Sequence, residues 1–213
     1  MRRFSKPKPY PAKTGPRLHI GCGEKVIPGW TNIDSRRLPG VDFVLDVRRG
    51  LPFERAAAIY AEHFLEHLAL DEALAFLVDC RRVLAPEGIL RISTPNLDWV
   101  LASHYRLGQP IPDEERVVDC FRLLRAFHGW GHRFLYNRAM LSAALRASGF
   151  ETVRFQRYGE SDEQVLRGLE RHETWEDTPE LPHVLIAEAS GIARPQPLPE
   201  KPVREFLAAV ETT

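Results

Sequence analysis

Short apolar runs that read as strands recur along this chain between segments with helical periodicity, and that alternation limits the folds open to it. Strands are predicted at Arg17 to Gly21, Thr31 to Asp34, Asp42 to Asp46, Ala58 to Glu62, Ile89 to Thr94, Glu151 to Arg157 and His183 to Ala189. Helices are predicted at Glu72 to Leu84, Asp98 to Arg106, Glu114 to Phe127, Arg138 to Ser148 and Asp162 to His172. Asn137 suits an N-cap and Gly149 a stop, while Pro86-Glu87-Gly88 reads as the turn into the fifth strand. The pattern implies an α/β fold, a mostly parallel sheet with helices on both faces.

The 213 residues, 44% of them apolar, are enough for one domain with a sizeable core. Residues 1–16 are basic and proline-rich and read as a flexible arm, residues 17–192 as the domain, and 193–213 as a proline-rich linker and amphipathic helix. In that helix Val203, Phe206, Leu207 and Val210 share one face, suited to dock on its own core or to form a homodimer. Basic and acidic side chains balance at 29 each, so no overall field steers the chain to nucleic acid. No apolar run approaches the ~18–20 residues that span a bilayer, and the prolines after the cationic start leave no signal core, so a cytoplasmic protein away from membranes is expected. Cys22, Cys80 and Cys120 form no C-x-x-C pair and read as reduced thiols.

The ends of the first three strands carry the chemistry. Gly21-Cys22-Gly23 ends the first, where an open parallel sheet borders its ligand crevice and absent side chains let a ligand approach the backbone. Asp34 and Asp46 end the next two; one carboxylate suits a ribose diol and the other an amino group on a base. A nicotinamide- or flavin-binding fold fits poorly. The third glycine is missing, and Asp34 comes only 13 residues after Gly21, too few for a complete helix to hold a pyrophosphate.

Taken together, LHIGCG, NIDS, LDVRRGLPF, EHFLEHL and VLAPEGILRISTPNLDW resemble the class I S-adenosylmethionine-dependent methyltransferases, in particular a small type-11-like branch. The resemblance implies a Rossmann-like seven-stranded sheet whose last strand, HVLIAEA, is antiparallel and lies between the fifth and sixth. It implies that Gly21, Cys22 and Gly23 pass beneath the methionine part of the cofactor, that Asp34 holds the ribose, and that Asp46 with Val47 lies beside the adenine. Glu62 and His63 would face the methyl group or the acceptor. Two departures stand out: His19 replaces an acid common two residues before the first glycine, and the first crossover helix is truncated to a loop over Glu24 to Trp30.

His63-Phe64-Leu65-Glu66-His67 also resembles the E-x-x-E-H metal motif of some methyltransferases, with His63 for the first glutamate and His132 as the later histidine. That resemblance implies a divalent metal on His63, Glu66, His67 and His132; the alternative is that Glu66 and His67 only pack the turn after the fourth strand. His63 and His132 are the candidate bases. Residues 103–133 interrupt the strand–helix rhythm and read as a helical cap over a small-molecule acceptor, with Arg122, Arg125 and Arg133 as contacts for an anion or as a solvated face. The expected activity is methyl transfer to an oxygen, in preference to a nitrogen, of a small metabolite or glycan-like acceptor. The alternatives are a non-catalytic S-adenosylmethionine-binding regulatory or scaffold protein and an RNA methyltransferase using the basic arm.

Overall fold

The computed structural model describes residues 15–171 and 178–210. Residues 1–14 of the arm, 172–177 and 211–213 lie outside the described residues. The strands are β1 (Arg17–Ile20), β2 (Thr31–Asp34), β3 (Phe43–Val44), β4 (Ala56–Glu62), β5 (Leu84–Pro95), β6 (Thr152–Gln156) and β7 (Val184–Ser190). The helices are α1 (Leu70–Val83), α2 (Leu97–His104), α3 (Asp113–His128), α4 (Arg138–Ala147) and α5 (Glu200–Val210). The strands form one sheet in the order β3-β2-β1-β4-β5-β7-β6, with β7 antiparallel to both neighbours, as expected for a Rossmann-like fold. Among the described residues no helix is long and apolar enough to cross a membrane.

Side-chain alternation divides the sheet into two unlike faces. Leu18, Ile20, Ile33, Ile59, Ala61, Leu90, Ile92, Leu185 and Ala187 pack with Phe76, Leu77, Leu141 and Leu145 of α1 and α4 into the main apolar core. The opposite face carries His19, Asn32, Tyr60, Arg91 and Glu188, all buried. There the loop 24–30 stands where a crossover helix would. Asn32 Oδ1 accepts from Ile27 N at 2.8 Å, and Asn32 Nδ2 donates to the carbonyls of Ile27 and Trp30 at 3.1 Å each. Ile27 and Trp30 then pack with Tyr60 and Leu166 in a second, smaller cluster.

Three expectations need correction. The helix expected at Asp162 to His172 is only a 3-10 turn at Gln164–Leu166, and His172 lies outside the described residues. Gly168, at φ +64°, breaks any helix there, and its N–H donates to Gly159 O at 2.9 Å. The segment is drawn onto the sheet instead: Glu170 accepts from Arg91 Nε at 2.7 Å, while Arg91 Nη1 donates to Glu188 at 2.5 Å, with all three side chains buried. Pro86-Glu87-Gly88 does not separate helix from strand, because β5 begins at Leu84 and absorbs the three residues where the β4–β5 register shifts between Ala56 and Ala58. The third strand keeps only two residues. Asn137 does cap α4, accepting from Met140 N at 2.9 Å, and α5 docks on its own chain through Phe206 against Phe134, rings 5.3 Å apart.

His19 stacks on Tyr60 and shares a 3.1 Å hydrogen bond with Asn32. Burial pulls its pKa down to about 4, against the weaker upward pull of the Asn32 bond. The unfolded chain therefore takes up this proton first as pH falls, so stability is retained above about pH 6.5 and lost toward pH 4. Thermal unfolding should show a decline on the order of 3 kcal/mol over that interval, reduced in His19→Phe; identical pH slopes for the two proteins would contradict it.

Candidate active site

The carboxyl ends of β1, β2 and β4, with the segment after β3, enclose a cavity of about 330 Å³ lined by Gly21, Asp34, Ser35, Arg36, Asp46, Val47, Arg48, His63, Phe64, His67 and Leu68. Its size lies at the lower end of small-molecule pockets, roughly 300–1,000 Å³. Asp34 and Asp46, the two strand-end acids, thus share one cavity. Gly21 sits at φ +64°, and any Cβ there would run into the Phe64 ring, so the residue type is set by both backbone and neighbour.

Neither carboxylate is idle. Asp34 Oδ2 accepts from Gly23 N at 2.8 Å, and Oδ1 accepts from Arg36 N at 2.9 Å and Arg36 Nε at 3.2 Å. These bonds outweigh the opposing effect of burial, the largest single influence, and hold its pKa below the usual carboxylate range. Asp46 accepts from Arg48 Nε at 2.9 Å and Arg48 Nη2 at 2.8 Å and is lowered chiefly by that contact. Both acids are therefore ionised and presented as acceptors, each with an exposed arginine laid over it. A carboxylate offers about four lone-pair positions, so Asp34 keeps acceptor capacity beyond its backbone bonds once Arg36 swings out.

A second cavity, about 540 Å³, lies beneath α2 and α3 and is lined by His63, Pro95, Trp99, Val100, Ser103, His104, Arg122, Arg125, Ala126, Trp130, His132, His183 and Val184. His63 lines both cavities. It stands just past the end of β4 at φ +45°, a left-handed conformation that a non-glycine residue keeps only when its surroundings enforce it. The enforcement is visible: His63 N donates to Ser93 O at 3.0 Å and His63 Nδ1 meets Glu66 Oε1 at 3.0 Å.

Glu66 is fully buried, and its other oxygen accepts from Thr94 Oγ1 at 3.0 Å. Its carbonyl accepts from Arg133 N at 2.7 Å and Phe134 N at 3.2 Å, which brings the segment after α3 down onto the turn after β4. His132 consequently meets His67, ring centroids 5.2 Å apart. Ligand atoms of Glu66, His67 and His132 lie within 4.8 Å of one another. His67 Nδ1 faces Gly131 O at 3.3 Å and His132 Nδ1 faces Ala126 O at 2.8 Å, an orientation that leaves Nε2 as the donor for a cation. Of the four predicted metal ligands, Glu66, His67 and His132 form this trio, while His63 stands beside it, bonded to Glu66.

The other expected cofactor residues are placed differently. Glu62 lines neither cavity, because strand alternation turns it to the opposite face, where it accepts from Arg171 N at 2.7 Å. Cys22 is buried, and Gly23 supports Asp34 through its N–H rather than lining the cavity. Arg133 pairs with Glu72 at 2.7 Å and leaves the second cavity to Arg122 and Arg125. Sequence reasoning missed Arg36 and Arg48, since exposed arginines after an acid look like solvated residues. It also missed Trp99, His104, Trp130 and His183, which come from separate segments.

Neither a family model nor a curated protein matches the chain. Solved structures do match. An S-adenosylmethionine-dependent methyltransferase from Thermotoga maritima is 17% identical, with a TM-score of 0.53 over 83% of this chain and 82% of that one. Another from Archaeoglobus fulgidus is 16% identical, with a TM-score of 0.51 over 84% of this chain and 87% of that one. At these identities the likeness is one of fold, and the fold is the Rossmann-like one those methyltransferases share.

Burial pulls the His63 pKa down, but the hydrogen bond and charge of Glu66, with the charge of Glu62, outweigh it and leave the pKa raised. In chelator-treated protein, the His63 imidazole should titrate by NMR above the ordinary value of about 6.5. In Glu66→Gln burial prevails and the midpoint should drop below that value; an unchanged midpoint would remove Glu66 as the cause.

Proposed function

We propose that this chain transfers a methyl group from S-adenosylmethionine to an oxygen, in preference to a nitrogen, of a small-molecule acceptor. The observation that carries this reading is that His63 lines both cavities, one lined also by Gly21 and by ionised Asp34 and Asp46, the other by residues of α2 and α3. S-adenosylmethionine supplies an electrophilic methyl carbon on a sulfonium. Asp34 is suited to accept from ribose hydroxyls, and Asp46 with Val47 to border the adenine. The fold, shared with methyltransferases of other organisms, supports the same assignment.

With S-adenosylmethionine bound, the methyl group would pass to the acceptor's oxygen with S-adenosylhomocysteine as the leaving group, so the main task of these residues would be alignment. Positioning alone can lower such a barrier by roughly 7–11 kcal/mol. His63, held at Nδ1 by Glu66, is the base that takes the acceptor's proton, and a base of this kind typically adds about 10²- to 10⁴-fold. Trp99, Ala126 and Trp130 line the acceptor side of the site.

The scaffold alternative drew on His19 and the missing helix. His19 lies on the opposite face against Tyr60, and the loop 24–30 is fixed by Asn32, so neither departure disturbs the cavity. The RNA alternative depended on an arm whose residues 1–14 lie outside the described residues.

The Glu66, His67 and His132 trio favours a second reading in which these three residues would hold a divalent ion such as zinc, cobalt or manganese, which would supply Lewis-acid polarisation of the acceptor. Calorimetry should detect S-adenosylhomocysteine binding that Asp34→Ala weakens at least tenfold; no heat with either the methylated or demethylated cofactor rejects the proposal. His63→Gln should lower kcat by about 10²-fold or more, and an unaltered kcat would reject the base. For the ion, one equivalent of cobalt should bind and be lost in His67→Ala; full activity in excess chelator excludes it.

A further inference from the structure

The cap cavity carries a chemical signature of its own. Its lining holds two guanidinium groups, Arg122 and Arg125, and no carboxylate. Asp119, the acid one turn from Arg122 on α3, is committed elsewhere: Arg106 reaches its two oxygens at 2.8 Å and 3.0 Å, and Arg106 N adds a third bond at 3.1 Å, while Glu66 behind His63 is bonded to His63 and Thr94. Arg122 approaches Asp119 only to 3.9 Å, and among the described residues Arg125 has no carboxylate partner, only the face of Trp130 at 5.2 Å. The excess positive charge is felt inside the cavity, since His104 is lowered first by burial and then by Arg125 and Arg122.

The walls are flat and aromatic. Trp99 is braced edge-on by His104 at 5.3 Å and His183 at 5.8 Å, while Trp130 meets His132 at 5.7 Å. Trp130 adopts φ +55°, a left-handed conformation rare for so bulky a residue, and in it lines the cavity. Pro95, Val100, Ala126 and Val184 complete an apolar lining. A pocket with ring walls, a cationic pair and His63 in its lining sorts molecules by three features: a planar apolar body, an anionic group and a reactive hydroxyl.

We propose that the methyl acceptor is a small aromatic hydroxy acid, its carboxylate facing Arg122 and Arg125, its ring between Trp99 and Trp130, and its hydroxyl at His63. This rests on the methyltransferase reading for the use of the hydroxyl, but recognition of the acid does not need the cofactor. About 540 Å³ admits a one-ring acid without strain. Arginine suits the task because its planar fork meets a carboxylate at two points and stacks on indole.

The test compares 4-hydroxybenzoate with its neutral isostere 4-hydroxybenzyl alcohol by tryptophan-fluorescence titration of the full chain, without cofactor. The acid should bind at least tenfold more tightly, and its advantage should shrink as salt rises. In Arg122→Gln/Arg125→Gln the advantage should vanish while S-adenosylhomocysteine affinity stays within twofold. Equal binding of acid and alcohol, binding of neither, or a preference that survives the double substitution would overturn the proposal. The wild-type comparison stands even if the double variant does not fold. Loss of S-adenosylhomocysteine binding in wild type would instead reject the methyltransferase reading, which this titration does not depend on.

Discussion

The buried carboxylate of Glu66 is the constraint on which the rest of the site depends. Taking a carboxylate out of water is strongly unfavourable unless its oxygens find donors, and Glu66 finds His63 on one oxygen and Thr94 on the other. Those partners fix the turn after β4 to the end of β5. The residue's own carbonyl then binds the chain at Arg133 and Phe134, so a single residue ties sheet, turn and cap together. The left-handed backbone at His63 is tolerable because this network over-determines it.

The unequal faces of the sheet follow from what each has to cover. One is an ordinary apolar surface under α1 and α4. The other has lost its first crossover helix and is closed by polar and ionic contacts, Asn32 on the loop 24–30 and Arg91 between Glu170 and Glu188. Replacing helix packing by a buried ion triad is a costly exchange, since desolvation offsets much of the attraction, but the geometry of this triad holds one arrangement. Here the arrangement specified is the seating of residues 159–171 over Tyr60, which leaves the carboxyl ends of the strands open as cavity walls.

Much of this was legible from the order of residues. Strand periodicity and an acid ending each of two successive strands were enough to bring Asp34 and Asp46 to one crevice, because parallel strands joined by crossovers must align their carboxyl ends. The segment Asp162 to His172 misled because Val165, Leu166 and Leu169 share a helical spacing, yet Gly168 turns the chain and Leu166 packs on the Tyr60 cluster. Glu62 misled for a different reason. Its position at a strand end was read correctly, but alternation gave its side chain to the far face. The cap cavity was opaque because Trp99, Trp130 and His183 are brought together only by tertiary structure, when Asn96 binds Pro182 O and Glu66 binds Arg133.

A crystal structure with S-adenosylhomocysteine would weigh the account most directly. It predicts the sugar against Asp34 with Arg36 displaced, the purine beside Asp46 and Val47, and the thioether sulfur pointing past His63 toward the cap. Density for the nucleoside outside this cavity, or an empty cavity in crystals saturated with the ligand, would contradict it.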